Sequence, residues 1–374
     1  MRKSRLAVPL SSTKRALLSL AALIAIAAAG AAALYIRSLN RPFPAKGAGP
    51  AQSILSQQPQ AAPQPPGILD ELPPDAPAVA YIDVAELRKL RGTPLAAILG
   101  LTGSGPQSDS DYREFVRNTG FDYARDLDRL AVAIWPASLE RTAPGEILGD
   151  NKVLAIADGR FDERRIKAYA LKSRGIVKKR GTEEVYEVPG KPPVSFEFLS
   201  PSRIAIASGK DLKYMATPHL AGRDPVVQAG IGRIASAPLF AVARTDRLPS
   251  AFYANFKNSP QLERLARSVQ FVTLAVQPQS DALAMKVDGE TSSMKDALEI
   301  AALLEISRVG ASMALADPRT TRQLTPEQAA FVGSLVKQVK IAHREQWVGL
   351  SLDVTPAMLA AIPKSSAPSS RATR

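Results

Sequence analysis

The sequence predicts an α+β protein: two tandem units of split β-α-β type, related to the ferredoxin-like motif, preceded by one transmembrane helix. Each unit is expected to be an antiparallel sheet with helices on one face. Three observations predict this. An uncharged stretch of 21 residues follows a basic N-terminus, short strand-like runs alternate with helix-like runs from residue 68 onward, and that alternation runs twice in the same order.

The first element is "ALLSLAALIAIAAAGAAALYI", residues 16–36, directly after Lys14 and Arg15. Twenty-one helical residues rise about 31 Å, close to the thickness of a bilayer's hydrocarbon core. Five basic residues precede it, which holds residues 1–15 in the cytoplasm and sends the body outward. Tyr35 and Arg37 suit the far interface. The segment is therefore expected to anchor the chain in the cytoplasmic membrane as a single pass, with the body outside the cytoplasm. The small residues of "AAAGAAA" support an alternative, secretion after signal cleavage near Ala33. Both readings export the body.

Residues 37–67 are rich in Pro, Gln, Ala and Gly and have few large apolar side chains, so they read as a disordered tether. The tail, residues 364–374, is expected to be disordered as well. Between them lie a first α/β unit, residues 68–230, and a second, residues 231–363.

In the first unit "AVAYID", "RLAVAIW" and "KVLAIADG" read as strands. A helix over 162–175 has Asp162 as N-cap and Gly175 as its stop. "EEVYEV", "VSFEFL" and "RIAIASG" are further strands, and another helix begins at Lys210. In the second unit "LFAVAR" is a strand, 248–267 is mostly helical, and "FVTLAVQ" and "ALAMKVDG" form a hairpin. A long helix over 293–315 follows, then strands "VKIAHRE" and "WVGLSLDV" and a short helix opened by Pro356. Each unit carries an Asp-Gly pair at the end of its third strand, Asp158-Gly159 and Asp288-Gly289, with a capped helix soon after.

The segment "LDELPPDAPAVAYIDVAELR" resembles the opening of domains in an uncharacterised family of exported, membrane-anchored bacterial proteins. Leu72, Pro73, Asp75, Ala80, Tyr81, Asp83 and Leu87 carry the likeness, and "NTGFDYARDLDRLAVAI" is similar to a second shared segment. The resemblance implies location and architecture. It implies no catalytic residue.

Composition narrows the chemistry. The formal net charge is +13, but residues 1–67 hold eight basic side chains and no acid, and the tail holds three more. The body is nearly neutral, which removes the electrostatic case for a nucleic-acid partner. With no cysteine there is no disulfide, thiol nucleophile or Cys-ligated metal.

Several local patterns have the spacing of functional motifs. Ser292-x-x-Lys295 has the spacing of serine acyl-transfer enzymes, but the accompanying motifs are missing, and Ser293 with Asp296 reads as a capping box. "GIGRIA", 230–235, fits a dinucleotide fingerprint by spacing alone, and Pro238 leaves room only for a short connecting helix. His219 and His343 stand far apart without metal-ligand spacing. Asp122, Asp126 and Asp128 gather oxygens as a calcium loop does, but without the EF-hand pattern, which points to caps and turns. The basic residues Lys172, Arg174, Lys178, Lys179 and Arg180 read as solvated edge charge.

No catalytic, cofactor-binding or metal-binding residue is assigned, and no cofactor is expected. The expected role is that of a non-enzymatic extracytoplasmic binding or scaffold protein, tethered through residues 16–36, with a protein or polysaccharide partner in the cell envelope. The alternative is an envelope hydrolase acting on peptidoglycan or polysaccharide through paired carboxylates.

Overall fold

The computed structural model describes residues 67–90, 110–135, 152–190, 193–208, 225–247, 260–279, 282–317 and 326–356, with Tyr253 and Met358. The expected transmembrane segment, the tether apart from Gly67 and the tail lie outside these ranges, as do His219 and the helix expected from Lys210. Among the described residues, no helix is long and apolar enough to cross a membrane.

The strands are β1 (Ala78–Asp83), β2 (Leu127–Trp135), β3 (Lys152–Gly159), β4 (Ile176–Arg180), β5 (Glu183–Val188), β6 (Val194–Ser200), β7 (Arg203–Ser208), β8 (Leu239–Arg244), β9 (Val269–Pro278), β10 (Leu283–Thr291), β11 (Lys340–Arg344) and β12 (Trp347–Val354). The helices are α1 (Val84–Arg88), α2 (Ser110–Thr119), α3 (Tyr123–Asp126), α4 (Glu163–Lys172), α5 (Pro225–Ile234), α6 (Pro260–Ser268), α7 (Met294–Ala316) and α8 (Pro326–Gln338), and a 3-10 turn spans Gly67–Glu71.

All twelve strands among the described residues form one antiparallel sheet in the order β11-β12-β10-β9-β8-β1-β2-β3-β7-β6-β5-β4. The α+β class stands. The arrangement within it departs from expectation in two ways. Two separate sheets were expected, yet β1 pairs with β8 in the register Ala80↔Ala241 and the halves run together. A split β-α-β unit would leave a gap between its first two strands for a third, yet β2 lies directly beside β1, antiparallel, as β9 does beside β8. A physical reason lies in the first strand of each half. Each is short and apolar on both faces, and an unpaired edge of that kind would be a template for aggregation. Pairing β1 with β8 hides both edges at once. The ladder extends past the strand ends, where Asp83 N–H donates to the Pro238 carbonyl (2.6 Å) and Arg244 N–H to the Pro77 carbonyl (2.8 Å).

Helices also cover both faces, where one was expected. On one face, Ile68 and Leu69 of the 3-10 turn and Val227, Ile231 and Ile234 of α5 pack over Val79, Tyr81, Leu154, Phe240 and Phe271. On the other, α4 sets Ile166 and Ala170 against Tyr186, Phe196 and Ile204. Leu87 of α1 meets Leu239, Leu274 and Val276 there, and Ala301 and Leu304 of α7 meet Val348 and Leu350. Strand residues alternate between faces, and "LFAVAR" is apolar at successive positions, so its strand needs cover on both sides. Tyr81 and Phe240, cross-strand partners with rings 5.1 Å apart, are among the most buried side chains. Each contributes about 2 kcal/mol or more by burial.

α5 spans the expected boundary between residues 230 and 231. Its Gly230 sits so close to the sheet that a Cβ there would meet Val242 Cγ1 at 2.9 Å and Phe271 Cε2 at 3.3 Å, while one at Gly232 would meet nothing within 4 Å. Gly230→Leu should therefore lower stability by about 2 kcal/mol or more through overpacking. Gly232→Ala should be neutral or stabilise by up to about 1 kcal/mol, since alanine is the better helix former. Thermal unfolding of the two variants checks the contrast.

Candidate functional site

Each residue singled out from sequence has a defined place where it is described. Ser293 is the N-cap of α7, accepting from Asp296 N–H at 3.1 Å. Its hydroxyl and that of Ser292 donate to the Asp296 carboxylate at 2.7 and 3.1 Å, and Arg264 donates to the other oxygen at 2.6 Å. Ser292 is thus engaged with an acid, and no hydrogen bond joins it to Lys295 among the described residues. "GIGRIA" places Gly230 in the middle of α5 rather than ahead of a helix N-terminus, so the backbone N–H groups that would cradle a pyrophosphate are already spent in the helix. His343 lies on β11, an outermost strand of the sheet.

The three aspartates hold a turn together. Asp122 caps α3, accepting from Ala124 N–H and the Tyr112 hydroxyl, both at 3.0 Å. Asp126 is buried, accepts from Asp122 N–H at 2.9 Å, and pairs with Arg125 and Arg160. Asp128 pairs with Arg88 at 3.3 Å. Among the described residues, no group of three His, Cys, Asp or Glu side chains could hold a metal ion. In the basic run, Lys178 pairs with the buried Glu187 across the β4–β5 ladder (2.5 Å). Lys172 belongs to α4, and Arg174 adopts φ 62° after that helix ends.

An open polar hollow of about 710 Å³ lies where β1, β2, β3 and β7 meet, with Asp83, Glu86, Asp128, Asp158, Arg129 and Arg203 on its walls. Paired carboxylates for glycoside hydrolysis would need one group free to attack or protonate. Here Asp83 caps α1 and receives the Tyr81 hydroxyl at 3.3 Å. Asp158 takes a two-pronged contact from Arg203 (2.6 and 3.0 Å), which also reaches Glu71 at 2.9 Å. These groups brace the strand ends.

The surface with the strongest binding character is the outer face of α7. Met294, Leu298, Ile306, Val309 and Met313 are 45% to 70% exposed, and Ala302 is exposed between them. Their spacing of three or four residues lays them along one side of the helix, over about 29 Å. The opposite side, with Ala297, Ala301 and Leu304, is the one buried. Sequence reading found this helix but not its second apolar face. A helix apolar on nearly all sides was the available signal.

No protein-family model matches the sequence, and no curated protein does. Among solved structures, crystal forms III, IV and I of TP0453 are similar at 11% to 12% identity, with TM-scores of 0.40 to 0.42. They cover 79% to 82% of this chain, which spans 96% to 100% of theirs. At this level the likeness says nothing of function.

The α7 cap makes a prediction about pH. Asp296 is held below the usual carboxylate range, chiefly by the Ser293 hydroxyl and, against the opposing effect of burial, by Arg264 and Ser292. A depressed folded-state value stabilises the protein fully above the unfolded value of about 4, and this support is lost as pH falls through the folded value. Asp296→Asn should cost more stability at about pH 7 than at about pH 3, and Ser293→Ala should cost about 1 kcal/mol at neutral pH. Denaturant titrations at the two pH values measure both.

Proposed function

We propose that this chain is a non-enzymatic binding or scaffold protein, exported and tethered to a bacterial cytoplasmic membrane by residues 16–36, which presents the outer face of α7 to a protein partner in the cell envelope. The observation that carries the binding role is the apolar stripe on α7. Aligned apolar side chains left in water at this density mark an interaction surface, and a helix presenting anchors at three- and four-residue spacing is a familiar way to meet another protein. The export half of the reading rests on the uncharged 21-residue stretch and the five basic residues before it. The resemblance of "LPPDAPAVAYID" to exported, anchored proteins supports the same address.

Two measurements test the halves separately. Alkaline phosphatase fused after Ile362 should be active, because the fused enzyme matures only outside the cytoplasm; an inactive fusion with intact residues 1–40 contradicts the address. A photo-crosslinking side chain at Leu298 or Ile306 in intact cells should give a discrete adduct with one protein. The adduct should be absent with the crosslinker at Lys179 and lost on Met313→Asp. Equal yields at Lys179 would contradict a binding role for α7.

A further inference from the structure

The two halves of the sheet differ at one matched position. β3 is flanked by β7 as β10 is flanked by β12, and each of the two inner strands carries an Asp-Gly pair, at its end in β3 and two residues before its end in β10. Opposite Asp158 stands Arg203, whose guanidinium fills the space above the strands and neutralises the acid. Opposite Asp288 stands Gly349, which has no side chain. The Asp288 carboxylate leans into the room this leaves, so that a Cβ on Gly349 would meet Asp288 Oδ1 at 2.6 Å. Lys286 pairs with the other oxygen at 2.8 Å. The result is a hollow of about 490 Å³, floored by Gly349 and walled by Arg233, Lys286, Asp288, Arg344 and Trp347. It lies on the sheet face opposite α7, since Val348 and Leu350, which pack under α7, alternate with Trp347 and Gly349.

The cations of this hollow are unevenly engaged. Lys286 is matched by Asp288. Arg233, projecting from α5, lies over the Trp347 ring with its Cζ 3.7 Å from the ring centre, and Trp347 is itself steadied edge-on by Phe271 at 5.3 Å. Among the described residues neither Arg233 nor Arg344 has a hydrogen-bond acceptor or acidic partner. Stacking on an indole leaves the in-plane N–H groups of a guanidinium free to donate. Glu345, the other carboxylate on the wall, sits at the β11–β12 turn. Two guanidinium forks from separate elements can grip different edges of a tetrahedral anion, whereas a planar carboxylate offers one edge.

We propose that this hollow binds a phosphate group, with Arg233 and Arg344 as its donors and Lys286 offsetting the charge of Asp288. A small phosphate monoester and a lipid headgroup share this chemistry. The test uses the full chain in neutral detergent and titration calorimetry with glycerol 3-phosphate and with a soluble short-chain phosphatidate. Glycerol and short-chain diacylglycerol serve as the phosphate-free counterparts.

At least one phosphate ligand should bind saturably and about tenfold or more tighter than its counterpart. Arg344→Gln, on an exposed outermost strand where it cannot disturb the core, should weaken it about tenfold. Gly349→Leu should abolish it, and Lys89→Gln, in the other hollow, should leave it unchanged. Equal binding of both phosphate ligands identifies a small phosphate as sufficient, and binding of phosphatidate alone identifies the headgroup. Failure of both phosphate ligands to exceed their counterparts overturns the proposal, as does an Arg344→Gln chain that binds as the native one does. Because Trp347 is one of two tryptophans, its emission in Trp135→Phe provides a second readout, expected to change as the phosphate draws on Arg233.

Discussion

The pairing of β1 with β8 is the contact on which the architecture depends. These strands open the two halves of the chain, and each is short and apolar on both faces. Apart, each would end its sheet with an exposed row of backbone donors and acceptors. Together they become the interior of one sheet, flanked on both sides by the other ten described strands. The seam also assembles the largest core, because Val79, Tyr81, Phe240 and Val242 rise from it on the same face to receive the 3-10 turn and α5. α5 closes the first half and leads into the second, so the helix that precedes the seam's second strand is also its lid.

Outward from the seam the halves diverge in what they expose. The β4 end is closed by charge: Lys178 with Glu187, Lys167 with Glu163 and Glu184, and Arg203 with Asp158 and Glu71. The β11 end is less complete. There Gly349 stands where Arg203 would, Arg233 and Arg344 have no acidic partner among the described residues, and α7 turns a second apolar side to solvent. The features that suggest binding, on both faces, thus belong to the same half. The first half reads as the braced frame, the second as the working surface.

Much of this was legible in the sequence. Every strand expected from alternation is present, and Ser293, Asp162 and Asp122 cap helices. α8 is not among the expected helices, although Pro326 at its first position and Ala329, Ala330, Phe331 and Leu335 after it carry the helical signal. The joining of two sheets into one could not be read, because hydrophobic alternation reports that a strand is covered and not which strand lies beside it. The split β-α-β expectation failed for that reason. Helices on one face was also too simple a rule, since "LFAVAR" and "FVTLAVQ" are apolar at consecutive positions and demand cover on both. The phosphate hollow is not a motif at all. It is an absence at Gly349, visible only when Asp288 and Asp158 are compared with the residues across from them.

The absence of native cysteine makes the seam directly measurable. Ala80 and Ala241 are directly opposed across it and project to the same face, which puts their β-carbons about 5 Å apart. Under mild oxidation the Ala80→Cys, Ala241→Cys chain should close an internal disulfide in the folded state, seen as faster non-reducing migration, while Ala80→Cys with Ala207→Cys should not. Failure of the first pair to bridge, with Ala80→Cys and Val132→Cys bridging normally across β1 and β2, would show that the halves form separate sheets and contradict the account.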